Sequence, residues 1–201
     1  MNEVVVIRTG TANTASVTAA LERARRAVRL SSDPADAAGA RVLVLPGVGT
    51  FGQVALRLDE LRLREVLTDR INAGRPTLAI CLGLQLLAEA SDENPGACGL
   101  GLVPATATAF GKDLRVPHLG WNRVVPGDGC SLLSDGDAYF ANSYKIDDVP
   151  DDWAGALTDH GGEFVAALER GPVLACQFHP ELSGSWGQAL IERWLSAAEA
   201  N

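Results

Sequence analysis

The sequence lacks the cysteine patterns that mark disulfide-rich or zinc-binding proteins. Its four cysteines, at positions 81, 98, 130 and 176, are separated by 17, 32 and 46 residues. These spacings match no CxxC pair, zinc ribbon or small disulfide framework. We therefore expect reduced thiols, as in the cytosol, and no metal or other cofactor.

Basic residues and long apolar runs are also scarce. Lys and Arg number 17 against 25 Asp and Glu, which gives a net charge of −8. Nucleic-acid backbones and anionic membrane surfaces are bound by clustered Lys and Arg, so this balance argues against both as partners. The N-terminus has one acidic residue, Glu3, before an apolar run of residues 4–7, which is neither a signal peptide nor a membrane span. These features predict a cytoplasmic protein.

The sequence does contain a regular alternation of strand and helix patterns. Hydrophobic residues make up 47% of the 201 positions, enough for one core, and we expect a single domain over residues 1–201. Residues 4–7, 41–45 and 78–81 have the pattern of buried strands, and residues 14–27 and 61–73 that of helices. This alternation predicts an α/β fold with a mostly parallel central sheet flanked by helices.

The second half has shorter strand-like segments separated by Gly, Pro and Asp turns. These segments are residues 102–110, 121–125, 137–141, 153–158 and 163–169. They predict antiparallel hairpins added to the core. The chain then returns with a buried strand at 173–178 and a closing helix at about 184–198.

Cys81 stands where an apolar run ends and Gly83 follows two residues later. A small-x-nucleophile-x-Gly turn after a buried strand is the pattern of a nucleophile elbow, which holds the side chain at the tip of a sharp strand-to-helix turn. We expect the thiol to face solvent, the helix dipole to favour the thiolate, and the backbone N–H of Leu82 to point towards a developing oxyanion. The alternative at this point is a buried structural cysteine.

A base for this thiol is available at the end of the last predicted strand, in Gln177-Phe178-His179-Pro180-Glu181. In an extended segment residues i and i+2 point the same way, so the Glu181 carboxylate can orient the His179 imidazole. The conjunction of the elbow with His-x-Glu predicts a Cys-His-Glu triad. His118 and His160 lack a suitable setting, because one lies on a Pro/Gly-framed loop and the other in a turn.

A glycine-rich segment follows the predicted strand at 41–45. It contains Gly47, Gly49 and Gly52, but neither the Lys-Ser/Thr of a P-loop nor a GxGxxG pattern, which disfavours a phosphate site. Close approach of its backbone to a ligand would supply a second oxyanion donor beside Leu82, and a plain structural loop is the alternative.

Three segments together resemble the class I, triad-type glutamine amidotransferases: 45–51 (LPGVGTF), 80–85 (ICLGLQ) and 177–181 (QFHPE). Two more, 116–122 (VPHLGWN) and 139–144 (YFANSY), resemble one branch, the glutaminase subunits of imidazole glycerol phosphate synthase in histidine biosynthesis. The resemblance covers essentially the whole chain. It implies glutamine hydrolysis through a Cys81 thioester, with ammonia passed to a separate (β/α)8-barrel cyclase subunit in a heterodimer.

The resemblance also implies roles for residues outside the triad. The backbones of Val48, Gly49 and Leu82 would form the oxyanion hole. Contacts to glutamine would come from Gly47, Gln85, Glu93, Ser143 and Tyr144. The cyclase would be faced by Asn13, His118, Trp121, Asn122 and Tyr139.

Four positions depart from the family pattern. Ala79 replaces a glycine two residues before the nucleophile, and Asn142 replaces a frequent histidine. Leu182 replaces a lysine that follows the triad glutamate, and the segment 9–13 has lost one glycine. The leucine would also suit a glutaminase that feeds pyridoxal 5'-phosphate synthase, and an anthranilate synthase type is a further alternative. A catalytically silent partner-binding subunit is disfavoured, because such a subunit has no need of all three triad residues.

Overall fold

The computed structural model describes residues 3–10 and 14–200. The strands are β1 (Glu3–Ile7), β2 (Ala27–Ser31), β3 (Val42–Gly47), β4 (Thr77–Cys81), β5 (Ala88–Ser91), β6 (Val103–Ala109), β7 (His118–Pro126), β8 (Gly136–Asn142), β9 (Tyr144–Lys145), β10 (Ala154–Asp159), β11 (Glu163–Arg170) and β12 (Val173–Cys176). The helices are α1 (Thr14–Arg23), α2 (Pro34–Gly39), α3 (Phe51–Glu60), α4 (Arg64–Asn72), α5 (Leu82–Gln85) and α6 (Gly184–Ala200), with a 3-10 turn at Pro180–Leu182.

One large mixed sheet organises the fold. Within the described residues it has nine strands in the order β2-β1-β3-β4-β12-β11-β10-β7-β8. Pairings from β2 to β12 are parallel, and those from β12 to β8 are antiparallel. A second, three-stranded sheet has the order β5-β6-β9. The predicted α/β fold class is confirmed, and the hairpins extend the central sheet itself.

The inner parallel strands are buried because helices cover both sheet faces. Every residue of β3, β4 and β12 is buried. Side chains alternate between two core clusters: Val4 and Val6 of β1 join one, Val5 and Ile7 the other. This arrangement explains why the sequence shows unbroken apolar runs at these strands.

Several elements differ from the predicted ones. The helix predicted over 14–27 ends at Arg23, because Arg25 adopts a φ of 58° and the chain turns into β2. That strand lies at the sheet edge with three of its five residues exposed, so it has no buried-strand pattern. Helix α3 starts directly after the glycine-rich loop, where no helix was predicted.

In residues 3–10 and 14–200 no helix combines the length and apolar character needed to cross a bilayer.

Candidate active site

Cys81 is the last residue of β4 and has a φ of 54° and a ψ of −110°. Positive φ is strained for a residue with a side chain, and such strain at a strand-to-helix turn is the geometry predicted for the elbow. Two parts of that prediction are wrong. Cys81 is only 7% exposed, so the thiol does not face open solvent. Helix α5 has four residues, too few to supply a substantial dipole.

Two glycines let the elbow pack against β3. The ladder between β3 and β4 extends to the pair Gly47–Cys81. A Cβ atom on Gly83 would overlap the carbonyl oxygen of Leu45, and one on Gly47 would lie 2.8 Å from the Gly83 nitrogen. Ala79, by contrast, is an ordinary buried strand residue. The elbow therefore needs glycine at 83 and 47 and accommodates the alanine at 79.

His179 reaches the nucleophile because β12 lies beside β4 in parallel register, with Cys176 opposite Ile80. Its Nδ1 lies 2.9 Å from Oε1 of Glu181. The segment was predicted to be extended, but Pro180 begins a 3-10 turn, and that turn still brings the carboxylate to the imidazole. Ser183 holds the segment, since its hydroxyl donates to the His179 carbonyl at 2.6 Å and accepts from the Tyr139 amide at 2.9 Å.

The environment of His179 favours the imidazolium. Burial disfavours the charged ring, but hydrogen bonds to Cys81 and Glu181 outweigh it and raise the pKa of His179 to about 10. A protonated imidazole beside a thiol stabilises the thiolate. The arrangement can thus supply both a nucleophile and a proton donor.

A cavity of about 220 Å³ opens at the elbow. It is lined by Val48, Gly49, Cys81, Leu82, Gln85, Glu93, Ala141, Asn142, Ser143, Tyr144 and His179. Nine of these were predicted as site residues. Of the remaining predicted ones, Glu181 lies behind His179 and Gly47 packs under the elbow. Within the described part of the chain, no group of His, Cys, Asp and Glu side chains is suited to a metal ion.

Two of the predicted substrate contacts also have structural partners. Glu93 Oε2 accepts a hydrogen bond from the Phe51 amide at 2.6 Å, so this carboxylate caps the N-terminus of α3 while lining the cavity. Gln85 Nε2 lies 3.0 Å from both the Tyr144 carbonyl oxygen and Oε1 of Gln177. These contacts fix both side chains before any ligand arrives.

Gln177 is a site residue that the sequence interpretation missed. Its side chain is fully buried, and its Nε2 lies 3.7 Å from the Cys81 sulfur. A signal was available, because Gln177 is a polar residue at the end of an apolar strand and two positions before His179.

The predicted partner-facing residues separate into exposed and buried ones. Asn13 lies outside the described residues. Trp121 is 58% exposed, on strand β7, with the Tyr139 ring 6.1 Å away. Asn122 is partly buried, and its Nδ2 donates to the Asp159 carbonyl at 2.5 Å.

His118 contradicts the prediction that it faces a partner. It is 6% exposed and stacks between Phe140 and His160. Burial, with a smaller contribution from His160, lowers the pKa of His118 to about 4. The ring is therefore a neutral part of the aromatic core, because its own strand turns it inward.

Comparison with known proteins agrees with this geometry. Residues 5–197 match the family described as glutamine amidotransferase class-I. The imidazole glycerol phosphate synthase subunit HisH of Aquifex aeolicus is 41% identical over 202 residues, covering 97% of each chain. That of Streptococcus sanguinis is 38% identical over 195 residues, covering 94% of each chain.

Solved structures show the same fold at lower identity. A crystal structure of a glutamine amidotransferase superposes with a TM-score of 0.77 at 19% identity, covering 97% of this chain and 98% of that one. A structure of PurLQS from Thermotoga maritima has a TM-score of 0.75 at 16% identity, covering 96% and 97%. With the family match and the relatives near 40% identity, the chain belongs to the class I glutamine amidotransferases, in the branch of the HisH subunits of imidazole glycerol phosphate synthase.

Proposed function

We propose that this protein hydrolyses L-glutamine to L-glutamate and ammonia with Cys81 as the nucleophile. The observation that carries the proposal is the contact of Cys81, His179 and Glu181 at one cavity in a chain of this family. The other synthases considered as acceptors, and a silent binding subunit, are not favoured by relatives that are HisH subunits.

The chemistry follows from the two charged partners at the elbow. The Cys81 thiolate attacks the carboxamide carbon, and the negative charge moves to the carbonyl oxygen. Backbone N–H groups of Leu82 and of Val48 or Gly49 stabilise that oxyanion. The His179 imidazolium then protonates the leaving ammonia, and water hydrolyses the glutamyl thioester with His179 as base. Glu181 keeps the imidazole in one orientation throughout.

The cavity walls suit the remaining parts of glutamine. Glu93 offers a carboxylate to the α-ammonium, and the backbone around Ser143 and Tyr144 offers polar groups to the α-carboxylate. Of the other predicted contacts, Gln85 holds the Tyr144 carbonyl, and Gly47 packs closely under the elbow.

Ammonia is proposed to pass to a cyclase subunit, because the relatives are subunits of imidazole glycerol phosphate synthase. The outer face of the β7–β8 hairpin presents Leu119 and Trp121, 62% and 58% exposed, and Leu182 beside the triad is 43% exposed. Apolar side chains so exposed next to a catalytic cavity suit a partner surface. The proposal takes the chain as one domain acting in the cytoplasm.

Replacement of the nucleophile tests the proposal. Cys81→Ala is expected to lower glutamine hydrolysis at least about a thousandfold, whereas ammonia-dependent synthesis by the reconstituted complex should persist. Cys98→Ala, at an exposed cysteine outside the cavity, is the matched control and should leave both rates unchanged. Undiminished glutamine turnover by Cys81→Ala would refute the assignment.

A further inference from the structure

The proposed chemistry leaves unused one polar group that contacts the nucleophile, the buried side-chain amide of Gln177. Its side chain is fully buried, between the end of β12 and the elbow, and its backbone amide donates to the Ala166 carbonyl at 2.8 Å. Burying an amide is unfavourable unless both its ends are hydrogen-bonded. Both ends of this one have partners, and one partner is the Cys81 sulfur.

The Tyr144 carbonyl sets the direction of these hydrogen bonds through Gln85, which contacts both Tyr144 and Gln177. The Tyr144 carbonyl oxygen can only accept, so the group 3.0 Å from it on Gln85 must be the NH₂ of that side chain. The same NH₂ lies 3.0 Å from Gln177, which must therefore present its oxygen there. The NH₂ of Gln177 is then directed at the sulfur.

A second side chain strengthens the anchor. Asn142 Nδ2 also donates to the Tyr144 carbonyl at 3.0 Å, so this oxygen accepts two hydrogen bonds from cavity residues. An acceptor held in this way cannot turn to release Gln85. The orientation of the Gln177 amide is thus imposed by a backbone group more than one side chain away.

We propose that Gln177 is a positioning residue whose amide N–H holds the Cys81 sulfur as a hydrogen-bond acceptor, alongside His179. A thiolate accepts an N–H far better than a thiol does, so this contact stabilises the charged nucleophile and fixes its rotamer. The titratable groups facing the sulfur are then His179, with Glu181 behind it, and Glu93 across the cavity. The inference rests on the proposed function in taking Cys81 as the nucleophile.

The test is the pH dependence of Cys81 alkylation by iodoacetamide, followed by mass spectrometry of the peptide that contains Cys81. Gln177→Met keeps the volume and removes the donor, and Gln177→Glu keeps the shape and replaces the NH₂ with a carboxylate oxygen. Loss of one hydrogen bond to a charged group corresponds to about a tenfold change or more. We expect the alkylation midpoint to rise by about one pH unit in Gln177→Met and further in Gln177→Glu, and glutamine kcat/KM to fall about tenfold.

Gln188→Met is the matched control, since Gln188 lies on α6 and bonds to Glu192 and the Ala20 carbonyl. Its midpoint should equal that of the unmodified protein. A purely structural role of Gln177 would lower thermal stability and leave the midpoint in place, and that result would overturn the proposal. In the wild-type protein labelled with 15N-glutamine, the NMR signal of a buried side-chain amide should also shift when Cys81 is alkylated. The absence of such a shift would count equally against the proposal.

Alkylation does not require glutamine turnover, so the two proposals fail separately. A raised midpoint in a protein that hydrolyses no glutamine would refute the proposed function and keep the role of Gln177. An unchanged midpoint in an active glutaminase would do the reverse.

Discussion

Two parts of the central sheet have opposite relations to solvent: the inner strands β3, β4 and β12, which we call the closed half, and the outer β7–β8 hairpin, which we call the open half. In the closed half every residue of β3, β4 and β12 is buried, Cys81 is the last residue of β4, and His179 follows the end of β12. In the open half β7 alternates buried or half-buried residues with exposed ones, and Trp121 and Leu119 stand on its exposed face. The closed half thus carries the proposed nucleophile and base, and the open half carries the proposed contact surface.

The difference in burial suits the two halves to different tasks. A strand covered on both faces holds its last residue rigidly, and a catalytic group needs that rigidity. A strand covered on one face leaves every second side chain free for a partner. Tyr139 connects the halves, because its carbonyl accepts the His179 amide at 2.9 Å while its ring lies beside Trp121.

The largest expected effect tests the rigidity of the closed half. Gly83→Ala places a Cβ atom onto the Leu45 carbonyl oxygen, and such an overlap with backbone should cost about 3 kcal/mol of unfolding free energy or displace the elbow. Urea unfolding and glutamine turnover measure the two outcomes. Gly111→Ala, where the added atom meets nothing within 4 Å, is the control. A stable and fully active Gly83→Ala would show that the closed half is not rigid.

A smaller effect is expected from the open half, and on binding only. Trp121→Ala should weaken the affinity for the cyclase subunit by about 2 kcal/mol, roughly thirtyfold, since central exposed aromatics dominate interfaces. Unfolding free energy should change little because the ring is 58% exposed. Titration calorimetry of the complex measures the loss, and Leu56→Ala, 60% exposed on α3, is the control. Equal affinities for both variants would remove β7 from the interface.

The smallest expected effect is pH-dependent and lies in the triad. The pKa of His179 is raised to about 10 against an ordinary value of 6.5. Its ionisation therefore stabilises the fold fully below about pH 6.5, and this contribution is lost as pH rises through about 10. Glu181→Gln removes the carboxylate that helps to raise the pKa of His179. We therefore expect this variant to be less stable than the wild-type protein by about 1 kcal/mol at pH 6.

Urea unfolding of both proteins at pH 6 and pH 10.5 checks this expectation. The difference in unfolding free energy between the two proteins should narrow at the higher pH, because a neutral His179 is no longer stabilised by the carboxylate. Groups that titrate elsewhere are common to both proteins and cancel in the difference. A gap that stays constant or widens with pH would mean that His179 is not charged beside Glu181.

The sequence predicted strands well in both parts of the sheet, since β8, β10 and β11 were predicted within one residue at each end. Strands β1, β3, β4 and β12 were predicted within two residues at each end, because burial on both faces leaves unbroken apolar runs. Strand β2 was missed since an exposed edge strand lacks that pattern. His118 was assigned to the partner surface on the family resemblance, while strand β7 turns its ring into an aromatic cluster.

The sequence by itself determined the class of fold and the family and predicted the three triad residues, because strand periodicity and short motifs are local features of the sequence. Only the tertiary structure decided how these residues meet. Parallel register between β12 and β4 brings His179 to Cys81, burial raises the cost of any unpaired polar group, and a chain of hydrogen bonds from Tyr144 through Gln85 points the Gln177 amide at the sulfur. Such directions depend on residues far apart in sequence, and no local pattern contains them.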